Sequence, residues 1–201
     1  MERRWLFTGL LIVGILANVV VVGLIASEKK DASLPQSWQP YVSKEGGFSL
    51  AYPSGWEKDE INRQAVEFEA KFYPAKGSYI SAVASMGGGL MVEILKLSVE
   101  DPLKYYHEKM IETMQEQLGH FKGTETRKMT VAGMDAYYTT FEYRSWNGMM
   151  GRNMKGIIVS LWDGENYLAL KMVSPARKYD QMFNAFGGFL NSFKTSRMPD
   201  E

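Results

Sequence analysis

The chain has 201 residues, no cysteine, and 23 basic side chains against 23 acidic ones. That balance supplies no field of one sign, so nucleic-acid binding is not expected. Lack of cysteine excludes a disulfide framework, a thiolate zinc site, a cysteine nucleophile and a lipidated cysteine.

Taken in chain order, the first element is WLFTGLLIVGILANVVVVGLIA, Trp5 to Ala26, 22 residues without a charge. As a helix it would span roughly 33 Å, the thickness of a bilayer core. The run is longer than the apolar region of a signal peptide, and a cut after Ala26 would place Leu24 where a small side chain is preferred. Residues 1–26 are therefore expected to be an uncleaved anchor. Arg3 and Arg4 precede the span, while Lys29 and Lys30 follow it among Glu28 and Asp31. The positive-inside rule favours a cytoplasmic N-terminus, a single pass through the cell membrane and an extracytoplasmic domain. Residues 27–44 mix charge with Pro35 and Pro40 and show no apolar period, so they read as a linker.

A folded domain is expected over residues 45–196, with a short tail at 197–201. It opens on GGFSLAYPSGWEKDE, in which Phe48, Leu50 and Tyr52 alternate as on one face of a strand. Tyr-Pro-Ser-Gly then suits a type I turn, with Pro second and Gly fourth, that returns Trp56 to the core. Further strands are expected over 65–73, 78–85, 90–98, 130–144, 155–162 and 166–173. Gly133 permits a tight reversal, and Trp162 to Asn166 closes a hairpin.

Two helices interrupt the strands. Asp101 and Pro102 open the first, Gly119 ends it, and Leu103, Tyr106, Met110, Met114 and Leu118 form its apolar stripe. The second is expected to open at Ser174-Pro175 and carries Tyr179, Met182, Phe183, Phe186, Leu190 and Phe193 at helical spacing. Gly187 and Gly188 break that helix unless close packing or a bend requires them. Short turns between strands, one inserted helix and one terminal helix argue for the α+β class, a central antiparallel sheet flanked by helices.

Familiar chemistry is tested against spacing. His107-Glu108 opens a zinc-protease string that fails, because Ile111 stands where the second histidine belongs. His107 and His120 are accordingly expected to be exposed or at a helix end. Glu108, Glu112 and Glu116 align every four residues and read as a solvated helix face. Ser54 lacks the glycine frame of a nucleophile elbow, and Gly87 to Gly89 lack the Lys and Ser/Thr of a phosphate loop. No catalytic set, metal site or cofactor site is expected. The most unusual surface candidate is SWNGMMGRNMKG, where Trp146, Met149, Met150 and Met154 are interleaved with Arg152 as in an adaptable partner-binding surface.

GFSLAYPSGWE, the VAGMDAYY hairpin, the DGENYLALKMV strand and a terminal helix ending FLNSF resemble the PsbP family in the same order. That family includes the extrinsic photosystem II subunit, bacterial relatives of unknown role and the structurally similar Ran-binding Mog protein. The resemblance implies an α/β/α sandwich that is non-catalytic and usually outside the cytoplasm. The apolar opening and the lack of a transit peptide depart from the photosynthetic members. The function expected is a membrane-tethered binding or assembly module with a protein partner. A small-ligand carrier or an enzyme with an unrecognised pocket is the alternative.

Overall fold

The computed structural model describes residues 37–63, 67–75, 77–85, 98–147, 150–164 and 166–195. The apolar run over 5–26, most of the strand expected over 90–98 and the tail at 197–201 lie outside them. Among the described residues no helix is long and apolar enough to cross a membrane.

Two antiparallel sheets are present among the described residues. The smaller joins β1 (Trp38–Ser43), β2 (Phe48–Pro53) and β11 (Lys194–Thr195) in the order β1-β2-β11. The larger contains β3 (Glu57–Arg63), β4 (Glu67–Ala75), β5 (Ser78–Ser85), β6 (Lys122–Gly123), β7 (Arg127–Val131), β8 (Met134–Asn147), β9 (Met150–Trp162) and β10 (Tyr167–Pro175). Its order is β3-β4-β5-β10-β9-β8-β6, with β7 also pairing with β8. Among the described residues the α-helices are α1 (Pro102–Gln117) and α2 (Tyr179–Ser192). The antiparallel α+β class expected from the sequence is the one observed.

Short-range chemistry explains these reversals. The turn between β7 and β8 uses two left-handed residues, Ala132 at φ 50° and Gly133 at φ 76°, as the right-handed twist of a hairpin requires. Between β9 and β10, Asp163 Oδ1 accepts from the Asn166 backbone N–H at 2.8 Å. The turn after β2 is displaced by one residue from the expected Tyr52–Gly55. The Trp56 N–H bonds to Pro53 O at 3.2 Å, and Gly55 at φ 86° takes the third position. A type II turn needs its left-handed residue there, and that requirement outweighs the preference of proline for the second position of type I.

Three boundaries differ from expectation. Strand β1 lies inside the segment read as a linker, so the folded unit begins at Trp38 rather than at residue 45. Pro40 suggested irregular chain, but β1 is an edge strand, where a missing N–H costs no ladder bond. Ser174-Pro175 ends β10, and a single 3-10 turn, Ala176–Lys178, intervenes before α2. The third is β9, which begins at Met150, five residues before the expected strand.

Alternation along each strand divides the large sheet into two apolar faces. One carries Phe72, Ile80, Val159, Leu161, Leu170 and Met172, and is covered by Met182, Phe186 and Phe189 of α2 together with Tyr41, Phe48 and Leu50 of the small sheet. The other carries Phe141, Ile158, Tyr167, Ala169 and Val173, beneath Leu103, Tyr106, Met110 and Met114 of α1. Helix, sheet and helix are thus stacked in layers, with the small sheet beside α2. Trp56 packs at the margin of the first core, half-buried rather than enclosed.

Candidate functional site

Helix α1 is fixed to the sheet at its first residue. One oxygen of Asp101 caps the helix by accepting from the Lys104 N–H at 3.0 Å, and the other accepts from the Tyr137 hydroxyl. Burial, and then the bond to Asp101, push the Tyr137 hydroxyl pKa well above its ordinary value. Pro102 occupies the position where its missing N–H costs nothing.

The same helix face carries His107, which is fully buried, not exposed as expected. Its Nδ1 lies 2.6 Å from Ser160 Oγ and its Nε2 lies 2.9 Å from Thr139 Oγ1. Ser160 Oγ is 2.5 Å from the Tyr167 hydroxyl, which donates to Met110 Sδ at 3.3 Å. Thr126 Oγ1 lies 3.2 Å from Thr139 Oγ1 at the other end. A thioether only accepts, and this fixes the direction of the whole chain. Tyr167 gives its proton to Met110, so Ser160 donates to Tyr167, and His107 donates to Ser160 from Nδ1. Nε2 is then the acceptor for Thr139, and Thr126 donates to Thr139.

This direction decides the chemistry. A serine nucleophile needs a histidine that accepts its proton, whereas His107 donates to Ser160. Both residues are fully buried. Burial lowers the His107 pKa to about 4, keeping the imidazole neutral, and raises that of Tyr167. The chain of hydroxyls holds α1 in register on β8, β9 and β10.

Beside the helix N-terminus is an open cleft of about 280 Å³ lined by Glu100, Asp101, Pro102, Leu103, Asp135, Tyr137 and Trp162. The Asp101 oxygens are already engaged, and Asp135 is paired with Lys128 at 2.7 Å. Among the described residues no group of three or more His, Asp or Glu side chains is arranged to hold a metal.

The expected partner-binding stretch forms the far end of the β8–β9 ribbon. Strand β10 ends with Pro175 opposite Met154, while β8 and β9 continue from the pair Arg144 and Asn153 to the pair Asn147 and Met150. These rungs form a two-stranded arm beyond β10. Arg152 is exposed on it. Met154 is buried against Phe141 and Ile158, so it belongs to the core beneath α1, not to a surface. Met149 and the side chains of Trp146 and Met150 lie outside the described residues. On α1, Glu108 pairs with Lys104 at 3.7 Å and Glu112 with Lys109 at 2.6 Å, the solvated face expected. His120 sits exposed just past the helix end.

Sequence reasoning missed His107, Ser160, Tyr167, Thr139 and Thr126 as a group. A signal was present: His107 stands four residues after Leu103 and three before Met110, inside the apolar stripe. Thr139 and Ser160 likewise occupy inward positions of alternating strands.

The solution structure of the cyanobacterial PsbP protein CyanoP from Synechocystis is similar, with a TM-score of 0.52 and 15% identity over 84% of this chain and 98% of that one. The Ran-binding protein Mog1p of Saccharomyces cerevisiae is similar with a TM-score of 0.51 and 7% identity, over 80% of this chain and 96% of its own. At such identities the likeness is one of fold. No functionally curated protein matches the chain. The PsbP family profile, in contrast, matches residues 36–195, from just before β1 to the end of β11, and the chain belongs to the PsbP family.

Proposed function

We propose that this PsbP-family chain is a membrane-tethered, non-catalytic binding or assembly module whose domain lies outside the cytoplasm. The observation that carries this reading is the uncharged run from Trp5 to Ala26, separated from β1 by only residues 27–37. Eleven residues fully extended reach at most roughly 40 Å, so the domain stays close to the bilayer surface. The inward-facing, proton-saturated bonds of His107 and Ser160 support a structural rather than a chemical role for the histidine.

Since the native chain has no cysteine, Ser33→Cys gives a single reactive site between anchor and domain. Labelling of intact cells by a membrane-impermeant maleimide is expected, together with retention in the membrane after alkaline carbonate washing. Protection until lysis would reverse the compartment, and release by carbonate would remove the tether. Crosslinking in native membranes then identifies the protein partner.

The cleft at the start of α1 supports a second reading, a small-ligand-binding domain. A compound that copurifies with the chain and is lost in Trp162→Ala would favour it.

A further inference from the structure

The formal charge of the chain sums to zero, yet on the β8–β10 side of the large sheet the fold separates cations from carboxylates along the strands. At the end bearing the two-stranded arm, Arg144 and Arg152 occupy neighbouring rungs, with Lys155 just below. The 3-10 turn after β10, which ends opposite Met154, brings Arg177 and Lys178 to the same end. On the β8–β10 side of this end their acidic neighbours are Asp180 and Glu142, the latter paired with Lys155 at 2.7 Å, while Glu57, Asp59 and Glu60 with Lys58 reach the same end on the opposite edge, along β3. Glu116 and Lys122, at the margin, cancel. At the opposite end are Glu100, Asp101, Asp135 and Asp163, against Lys104 and Lys128, with Arg63 and Glu67 facing each other on the β3–β4 edge. Arg152 and Arg177 are exposed and pair with no carboxylate among the described residues.

We propose that the basic end, presented by Arg144, Arg152, Arg177 and Lys178, docks on anionic phospholipid headgroups of the bilayer to which the chain is tethered. The proposal rests on the tether reading. The cations come from three separate elements, β8, β9 and the 3-10 turn, which suits a surface of many phosphates better than one small anion. The Arg152 and Arg177 guanidinium groups, which pair with no carboxylate among the described residues, can take phosphate oxygens in pairs. Residues 27–37 hold the domain at a high effective concentration beside the surface, so even weak attraction orients it, acidic end outward.

The test uses the full chain reconstituted through its own apolar segment into phosphatidylcholine vesicles, with or without one quarter phosphatidylglycerol. A single dye is placed at Asn153→Cys, on the arm, or at Thr130→Cys, exposed near the opposite end. Quenching by spin-labelled headgroups reports which end approaches the lipid. In anionic vesicles the dye at 153 should be quenched about fivefold more than the dye at 130, the weight of one well-placed cation. High salt, neutral lipid or the pair Arg152→Glu and Arg177→Glu should each abolish the difference, the last with an unchanged melting midpoint. If the reversed charges lower that midpoint, Arg177→Gln with Lys178→Gln provides the same readout. Equal quenching at both positions in anionic vesicles overturns the proposal, as it would if the basic end served an acidic protein instead. So does a difference that ignores lipid charge. Failure of the chain to float with neutral vesicles in high salt removes the tether alone, because salt-sensitive flotation with anionic vesicles would still reveal the surface contact.

Discussion

At the scale of single residues, His107 sets the pH behaviour of the domain. Its folded pKa of about 4 lies below the ordinary 6.5, so between those values the unfolded chain holds a proton that the native one lacks. The contribution is complete above pH 6.5, declines as pH falls through the window, and levels off below pH 4, amounting to about 3 kcal/mol. Urea melts of wild type and His107→Gln at pH 7.5, 5.5 and 4.5 separate this contribution from that of the carboxylates. The wild type should lose the additional stability, and parallel pH profiles would refute the assignment. Trp56 represents the opposite case. The sequence pattern turns it inward, and so it is, but it stops at the core margin. Trp56→Ala is therefore expected to cost about 1 to 3 kcal/mol, less than full truncation of a buried aromatic, as read from a denaturant midpoint. Direction of turn was legible from Pro, Ser and Gly; depth of burial was not, because it depends on what α2 and the small sheet leave uncovered.

At the scale of elements, the paired glycines of α2 show why pattern alone was insufficient. Both interrupt a helical stripe, but a methyl group on Gly188 would overlap the Trp38 indole, whereas Gly187 faces open space. Gly187→Ala should stabilise the domain by about 0.5 to 1 kcal/mol through lost backbone freedom in the unfolded chain. Gly188→Ala should destabilise it by about 1 to 3 kcal/mol, since the indole has to leave its site. Thermal melts of the two variants should move in opposite directions, and a common direction would dismiss the contact. The close approach was invisible beforehand because Trp38 sat in a segment that proline and charge marked as a linker. Elements with a strong local signal were legible nearly to the residue: β5, the hairpins at Gly133 and Gly164, and α1 from its Asp101 cap. Those resting on distant partners, β1, β6 and β11, were not.

At the scale of the whole molecule, the folded unit includes β1, and this gives a boundary prediction. A chain starting at residue 33 should fold cooperatively, whereas one starting at residue 45 loses Tyr41, edge-on to Phe72 at 5.2 Å, and Trp38 from Gly188. The shorter chain should melt at lower temperature by about 5 to 15 °C, or expose enough apolar surface to bind a hydrophobic dye. Equal melting would make β1 dispensable. Zero net charge predicted no field of one sign, and for the sum that is correct. The separation into a basic and an acidic end required the register of β8, β9 and β10, which places Arg152 and Arg177 together although the sequence keeps them apart.

Pairing of β5 with β10, and of β2 with β11, has a consequence for the order in which the molecule is made. Strands β1 and β2, and β3 to β5, can pair among themselves as they leave the ribosome, but β2 and β5 find their remaining neighbours only in β11 and β10, so neither sheet is complete until residues 167–195 have emerged. Contacts so distant along the chain place folding on the slow side for a domain of this size, milliseconds to seconds. Until β10 and β11 have been made, both sheets remain open at β5 and β2. If the chain crosses a membrane on the way to its site, that delay leaves it extended enough to be threaded.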